Sequence, residues 1–132
     1  MKLIEPALKI QTVLDAVCTY YNIDEKTLLS KTRKKEIIEK RQQFHYFAYK
    51  FTDATQDKVG KYKSEFDHAT VIHSIRTVEN LRFTEKLYNS TLTAIEQKLM
   101  LQNYLASNSS TTMTGEFAKF TNDLDVVYTI VN

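Results

Sequence analysis

Apolar residues recur along most of the chain at the spacing of one face of an α-helix. Short polar stretches interrupt this pattern and divide it into separate segments. The pattern predicts six helices, over residues 7–21, 25–29, 34–52, 55–61, 67–82 and 84–105. We therefore expect an all-α fold.

Short polar side chains before these segments predict where the helices begin. Asp24, Thr55 and Asp67 each stand just ahead of a helical pattern, where an N-cap residue would accept a hydrogen bond from a backbone N–H. Thr32 is expected to cap the long third helix in the same way. The carboxylate of Asp67 is expected to accept from the N–H of Ala69 or Thr70.

A helical wheel of residues 67–82 separates two faces at 100° per residue. The side expected in the core carries Val71, Ile72, Ile75 and Val78. The side expected outside carries Ala69, Thr70, His73, Arg76, Thr77 and Asn80. This outer face is small, polar and basic and has no carboxylate, whereas a generic solvated face mixes both signs. It is typical of a helix that can lie against a DNA groove.

The segment before that helix fits the same interpretation. A short helix, a tight turn at residues 63–66 and the helix from 67 form a helix-turn-helix, whose second helix enters the major groove in DNA-binding proteins. The topology alone also occurs in proteins that do not bind DNA.

Composition and charge agree with one ordered helical domain that has a basic region. The chain has 132 residues with only two glycines and one proline, and 42% of it is hydrophobic. The net charge is only +2, but residues 31–63 hold ten bases and four acids. The run KTRKKE at 31–36 is the densest part and is expected to be a loop that contacts phosphates or enters a minor groove. We therefore expect a polyanionic partner.

Several other kinds of chemistry are disfavoured. His68 and His73 are five residues apart on one helix and point about 140° apart, a poor metal pair. Cys18 is the only cysteine, so it forms no internal disulfide, and we expect a buried structural thiol. The chain has no phosphate-binding P-loop and no glycine-rich loop beside a nucleophile. We expect no enzyme activity, no cofactor and no metal.

The hydrophobic segments are too short to span a membrane, so we expect a cytoplasmic protein with no membrane partner. Residues 106–132 change character, from a Ser/Thr-rich linker to a tail that mixes acids with apolar residues. Such a tail usually docks on its own domain or on a partner. We therefore expect a domain over 1–105, followed by a linker and tail through which the chain could contact itself or another protein.

Three stretches of the sequence carry a family resemblance. They are YYNIDEKTLLSKTRKKEIIEKRQ from Tyr20, the Val-Gly pair at 59–60, and DHATVIHSIRTVENL from Asp67. Together they resemble the C-terminal DNA-binding domain of the bacterial chromosomal replication initiator DnaA, over roughly residues 12–82. The resemblance implies a helical bundle related to the Trp-repressor helix-turn-helix, with an extra C-terminal helix and tail here. It also implies binding of duplex DNA at short boxes, in replication initiation or its regulation.

The resemblance also implies roles for particular residues. Arg33 would enter the minor groove, and Arg41 with Gln42 would contact the phosphate backbone. The stretch from Asp67 to Thr70 would face major-groove base edges and adjacent phosphates. Together with the basic run and the outer face of the helix, the predicted DNA-binding residues are Lys31, Arg33, Lys34, Lys35, Arg41, Gln42, Asp67, His68, Ala69, Thr70, His73 and Arg76.

The sequence departs from the family pattern at several points. Ser64-Glu65-Phe66 stands where the family has Gly-Gly-Arg, and Ala69 replaces a threonine. No Walker motif is present, so we expect a stand-alone, divergent relative without the ATPase module. Glu65, Phe66 and the acidic, apolar tail favour an alternative, in which a protein-interaction module keeps the fold without sequence-specific DNA recognition.

Overall fold

The computed structural model describes residues 5–107. They form α1 (Ile10–Tyr21), α2 (Glu25–Leu28), α3 (Lys35–Phe51), α4 (Gln56–Lys61), α5 (His68–Thr84) and α6 (Lys86–Ser107). This part of the chain contains no strand, and the expected all-α fold is confirmed. The helix bounds lie within three residues of the predicted ones. The largest difference is at α1, which begins at Ile10, while Leu8 donates its N–H to the carbonyl of Phe51.

Three of the four predicted caps form. Asp24 accepts from the N–H of Thr27 at 2.9 Å, and Thr55 accepts from that of Lys58 at 3.2 Å. Asp67 accepts from the N–H of Thr70 at 2.9 Å. These helix starts are therefore specified locally, since each cap satisfies a backbone donor that the first turn leaves without a partner.

The prediction that Thr32 caps α3 is wrong. The helix begins at Lys35, and its N-cap residue is Lys34, whose side chain makes no capping bond. The hydroxyl of Thr32 instead accepts from the N–H of Lys34 at 3.2 Å. This bond closes a local turn in the loop, a conformation that competes with capping for Ser and Thr side chains.

α3 lies at the centre of the bundle and packs against each of the other five helices. The fully or nearly fully buried hydrophobic residues are Val13, Leu14, Val17, Leu28, Leu29, Phe44, Phe47, Ala48, Phe51, Val59, Val71, Val78, Leu92, Ile95 and Leu99. Every helix contributes to this one cluster, so α4 and α5 are held on a continuous core.

Three predicted core positions are more exposed than expected. The buried stripe of α5 runs through Val71, Ser74 and Val78, and Ile72 and Ile75 are only partly buried. The stripe follows a spacing of three and four residues and faces α3, which places Ile72 at its edge. Cys18 is also only partly buried, although burial still raises the pKa of its thiol to about 11.

α6 closes the bundle and ties down the start of the chain. The side-chain amide of Asn103 accepts from the N–H of Ala7 at 2.8 Å and donates to the carbonyl of Glu5 at 3.0 Å. Leu87 is 85% exposed, because it lies in the first turn of this helix beside the corner with α5. The helix continues to Ser107, and the rest of the predicted linker and tail lies outside the described residues.

Candidate nucleic-acid interface

The helix-turn-helix consists of α4, the turn at residues 62–67 and α5. The turn folds back on α4, where the N–H of Phe66 donates to the carbonyl of Gly60 at 3.0 Å. A Cβ on Gly60 would lie 2.3 Å from the carbonyl oxygen of Phe66, so this close approach requires glycine. Lys63 adopts a left-handed conformation with φ of 52°. The turn therefore forms without the two glycines of the family pattern.

The start of α5 presents an exposed, polar surface. The Asp67 carboxylate accepts from both the N–H and the hydroxyl of Thr70, each at 2.9 Å. These bonds hold the pKa of Asp67 below its ordinary value, so the side chain is an anionic acceptor at neutral pH. His68, Ala69, His73 and Arg76 are exposed, and Thr70 is partly buried. The predicted outer face of the helix is thus open to a partner.

The basic loop, which we define as residues 31–35, follows α2 and ends at Lys35, the first residue of α3. Its four cationic side chains, Lys31, Arg33, Lys34 and Lys35, are all exposed. Within residues 5–107 none of them forms an ion pair with a carboxylate. Their positive charge is therefore available to an anionic partner.

Arg41 and Gln42 lie on α3, behind the basic loop. Arg41 is only 8% exposed, and its Nη1 donates to the carbonyl of Ser30 at 2.6 Å. Gln42 is partly buried. Of the predicted DNA-binding residues, Arg41 is the one that the fold buries, and its contacts are with the protein itself.

Phe66 brings the basic loop and the start of α5 together. The guanidinium carbon of Arg41 lies 4.5 Å from the centre of its ring, and the Lys31 ammonium lies 5.9 Å from the same point. Phe66 directly precedes the capping residue Asp67. The basic loop and the start of α5 therefore lie on one side of the molecule, although they are more than thirty positions apart in sequence.

A buried polar pair lies beneath this surface and was missed in the sequence. His45 of α3 is fully buried, and its Nδ1 lies 2.9 Å from the hydroxyl of Ser74 of α5. Burial, with a smaller contribution from the charge of Arg41, lowers the pKa of His45 to about 3. The ring also meets Phe66 edge-on, with 5.7 Å between centres. His45 is therefore neutral and joins the central helix to α5.

The role of Phe66 was also missed, although one signal in the sequence pointed to it. A hydrophobic residue just before an N-cap commonly packs under the first turns of the helix, and Phe66 occupies that position. His45 gave no such signal, since its partner Ser74 is 29 residues away and the contact depends on how α3 and α5 cross.

The described residues also bear on metal binding and on membrane insertion. Within residues 5–107, no group of three or more His, Cys, Asp or Glu side chains is arranged to hold a metal ion. No helix in that range is long and apolar enough to cross a membrane.

Comparison with known proteins identifies the relatives of this chain. A family model described as the bacterial DnaA protein helix-turn-helix matches residues 10–78. The chromosomal replication initiator protein DnaA of Flavobacterium psychrophilum is 34% identical over 101 residues, which are 76% of this chain and 21% of the relative. Its counterpart in Bacteroides fragilis is 33% identical over 97 residues, 74% of this chain and 20% of the relative. The chain thus spans about a fifth of the length of these two relatives.

Proposed function

Because this chain belongs to the bacterial DnaA helix-turn-helix family, we propose that it is a duplex DNA-binding protein and not an enzyme. The observation that carries this proposal is the position of the basic loop beside the exposed start of α5. The Lys31 ammonium reaches within 5.9 Å of the centre of the Phe66 ring, one residue before Asp67. One face can therefore meet a phosphate backbone and a groove together.

In this proposal α5 enters the major groove with its first turn towards the bases. Asp67 is an anionic acceptor, which suits the amino group of cytosine, and the Ala69 methyl suits the methyl group of thymine. His68 and Thr70 would contact base edges or the nearest phosphates. His73 and Arg76 extend the same exposed face along the groove.

The basic loop supplies the electrostatic part of binding. All four cations of the basic loop neutralise phosphate charge, Lys31, Lys34 and Lys35 at the backbone and Arg33 from the adjacent minor groove, where the potential is most negative. Each neutralised phosphate releases condensed counterions, so affinity falls as salt rises. The four exposed side chains predict strong salt dependence.

The cellular role proposed here is replication initiation or its regulation, in the cytoplasm and without a cofactor. The support is that both relatives described above are chromosomal replication initiator proteins. The site would be a short box read by α5, with Ser64-Glu65-Phe66 and Ala69 altering the preferred sequence relative to the family.

Selection of bound sequences from random duplex DNA tests this function directly. We expect enrichment of one short motif, and binding to that motif that weakens steeply between about 50 mM and 200 mM salt. Retained binding with no enriched motif would remove sequence recognition from the proposal. A chain that shifts no duplex at about 50 mM salt would overturn it.

A matched pair of variants then tests the basic loop. Arg33→Ala removes one exposed cation from the loop. Lys98→Ala removes one exposed cation from α6, where the Lys98 side chain lines a cleft with Asp15 and Tyr20 of α1. Each lost phosphate contact should reduce the slope of log affinity against log salt by about 1. We expect that change for Arg33→Ala and none for Lys98→Ala, measured by fluorescence anisotropy on the selected duplex.

A protein-interaction role is a second candidate, favoured by an exposed apolar corner between α5 and α6. Phe83 is 91% exposed and Leu87 is 85% exposed, a combination that often marks a contact surface. Under this candidate the wild-type chain sediments as an oligomer, and Phe83→Ser with Leu87→Ser returns it to a monomer. Sedimentation of the wild-type chain as a monomer at all concentrations excludes self-association.

A further inference from the structure

We propose that Phe66 and Arg41 are positioning residues that hold the basic loop and the start of α5 in one fixed orientation. DNA would then meet both elements as a single preformed surface. This inference rests on the proposed DNA-binding function, and it assigns to Arg41 a different role from the phosphate contact that the family resemblance implies.

Arg41 is positioned to act on the loop from behind. Its Nη1 donates to the carbonyl of Ser30 at 2.6 Å, and Ser30 directly precedes Lys31. Hydrogen bonds from a charged guanidinium are stronger than those between neutral groups, so this bond fixes the backbone just before the loop begins. With only 8% of its surface exposed, Arg41 offers little to a phosphate.

Phe66 fixes the other side of Arg41. The guanidinium carbon lies 4.5 Å from the centre of the Phe66 ring, within the range of a cation–π contact. The ring is itself held, because His45 meets it edge-on and the backbone N–H of Phe66 bonds to Gly60. A chain of contacts thus joins the loop to α5, and it runs from Ser30 through Arg41 and Phe66 to Asp67.

In this arrangement, the phenylalanine at position 66 has a structural role, which is to hold the guanidinium of Arg41. The family resemblance implies an arginine there, and this chain has an aromatic ring that lies 4.5 Å from the Arg41 guanidinium carbon and 5.9 Å from the Lys31 ammonium. A cation at this position would repel the guanidinium and would offer no aromatic face for a cation–π contact. The loss of a phosphate-binding cation is thereby offset by preorganisation of four others, because an ordered loop loses less entropy on binding.

Two variants and one control test the coupling. Phe66→Leu keeps an apolar side chain without a ring, and Arg41→Gln removes the charge while keeping a shorter polar chain. The control is Tyr20→Leu, which also replaces an exposed aromatic ring by leucine, on α1 and outside both proposed contact surfaces. Thermal unfolding first identifies the temperature at which all three remain folded.

For Phe66→Leu and Arg41→Gln we expect about a fivefold loss of affinity for the selected duplex, in line with one cation–π contact. The salt slope should stay at the wild-type value, because no phosphate contact is removed. Without DNA, backbone order parameters of residues 31–34 should fall from about 0.85 towards 0.6. Phe66→Tyr, which keeps the ring, should match wild type in both quantities, and Tyr20→Leu should leave both unchanged.

The measurements separate this inference from the proposed function. A wild-type chain that binds no DNA overturns the function, whereas the order parameters still test the coupling in the free protein. A salt slope reduced by about 1 in Arg41→Gln, with order parameters unchanged, would make Arg41 a phosphate contact and overturn the inference. Wild-type affinity and order in Phe66→Leu would overturn it as well.

Discussion

At the scale of single residues, the buried His45 links stability to pH. Its folded-state pKa of about 3 lies below the ordinary 6.5. As pH falls below 6.5, the unfolded chain binds a proton at this position and the folded chain does not, so stability is lost. One such group should cost about 2 kcal/mol between pH 7 and pH 5. We expect this loss in urea unfolding measured across that range.

Two histidine variants identify the residue responsible. His45→Gln should flatten the profile between pH 7 and pH 5, whatever its effect on absolute stability, because it removes the group that titrates differently in the two states. His73→Gln changes an exposed histidine on α5 and should leave the profile unchanged. A profile in His45→Gln as steep as that of wild type would assign the pH dependence to another group.

At the scale of elements, the packing of the turn against α4 depends on Gly60. Alanine is the better helix former by about 1 kcal/mol, and Gly60 has an ordinary negative φ, so backbone preference favours Gly60→Ala. The added Cβ would lie 2.3 Å from the Phe66 carbonyl oxygen, however, and the turn would have to move. Such overpacking costs about 1–3 kcal/mol, and we expect net destabilisation in urea. The control is Lys61→Ala, an exposed change on the same helix, and a Gly60→Ala protein as stable as wild type would contradict the argument.

The helix starts that were predicted correctly from the sequence are those fixed by interactions between neighbouring residues. Asp24, Thr55 and Asp67 form their caps with backbone groups three residues away, so neighbouring residues suffice to predict them. The capping prediction for Thr32 is wrong because its hydroxyl can either cap α3 or accept from the N–H of Lys34. The geometry of the loop selects the second bond. The stack of Arg41 on Phe66 joins residues 25 positions apart and depends on how α3 meets the turn. The sequence therefore predicted most of the exposed side of α5, but neither the burial of Arg41 nor the contacts that hold the basic loop in place.

At the scale of the whole molecule, a largely buried charge network adds to the apolar packing that holds α6 on the bundle. Glu96 pairs with Arg82 of α5 at 3.1 Å and with Lys50 of α3, and Arg82 also donates to Asn89 at 2.7 Å. The side chains of Arg82 and Glu96 are 15% and 13% exposed. Although burial raises the pKa of Glu96, the hydrogen bonds from Arg82 and Lys50 hold it below the ordinary value. Three helices thus share this network, including one that lies beyond the family match at residues 10–78.

Breaking this network should lower stability without changing DNA affinity. Glu96→Ala leaves Arg82 charged and largely buried without its carboxylate, and such a loss costs about 3 kcal/mol. Replacing both Arg82 and Glu96 by Met removes both charges, and we expect most of the stability to return in urea unfolding. Below the unfolding transition, both proteins should bind the selected duplex within about twofold of wild type, since the basic loop and the start of α5 keep their contacts. A tenfold loss of affinity in the folded double variant would mean that α6 sets the geometry of the DNA-binding surface as well as its stability.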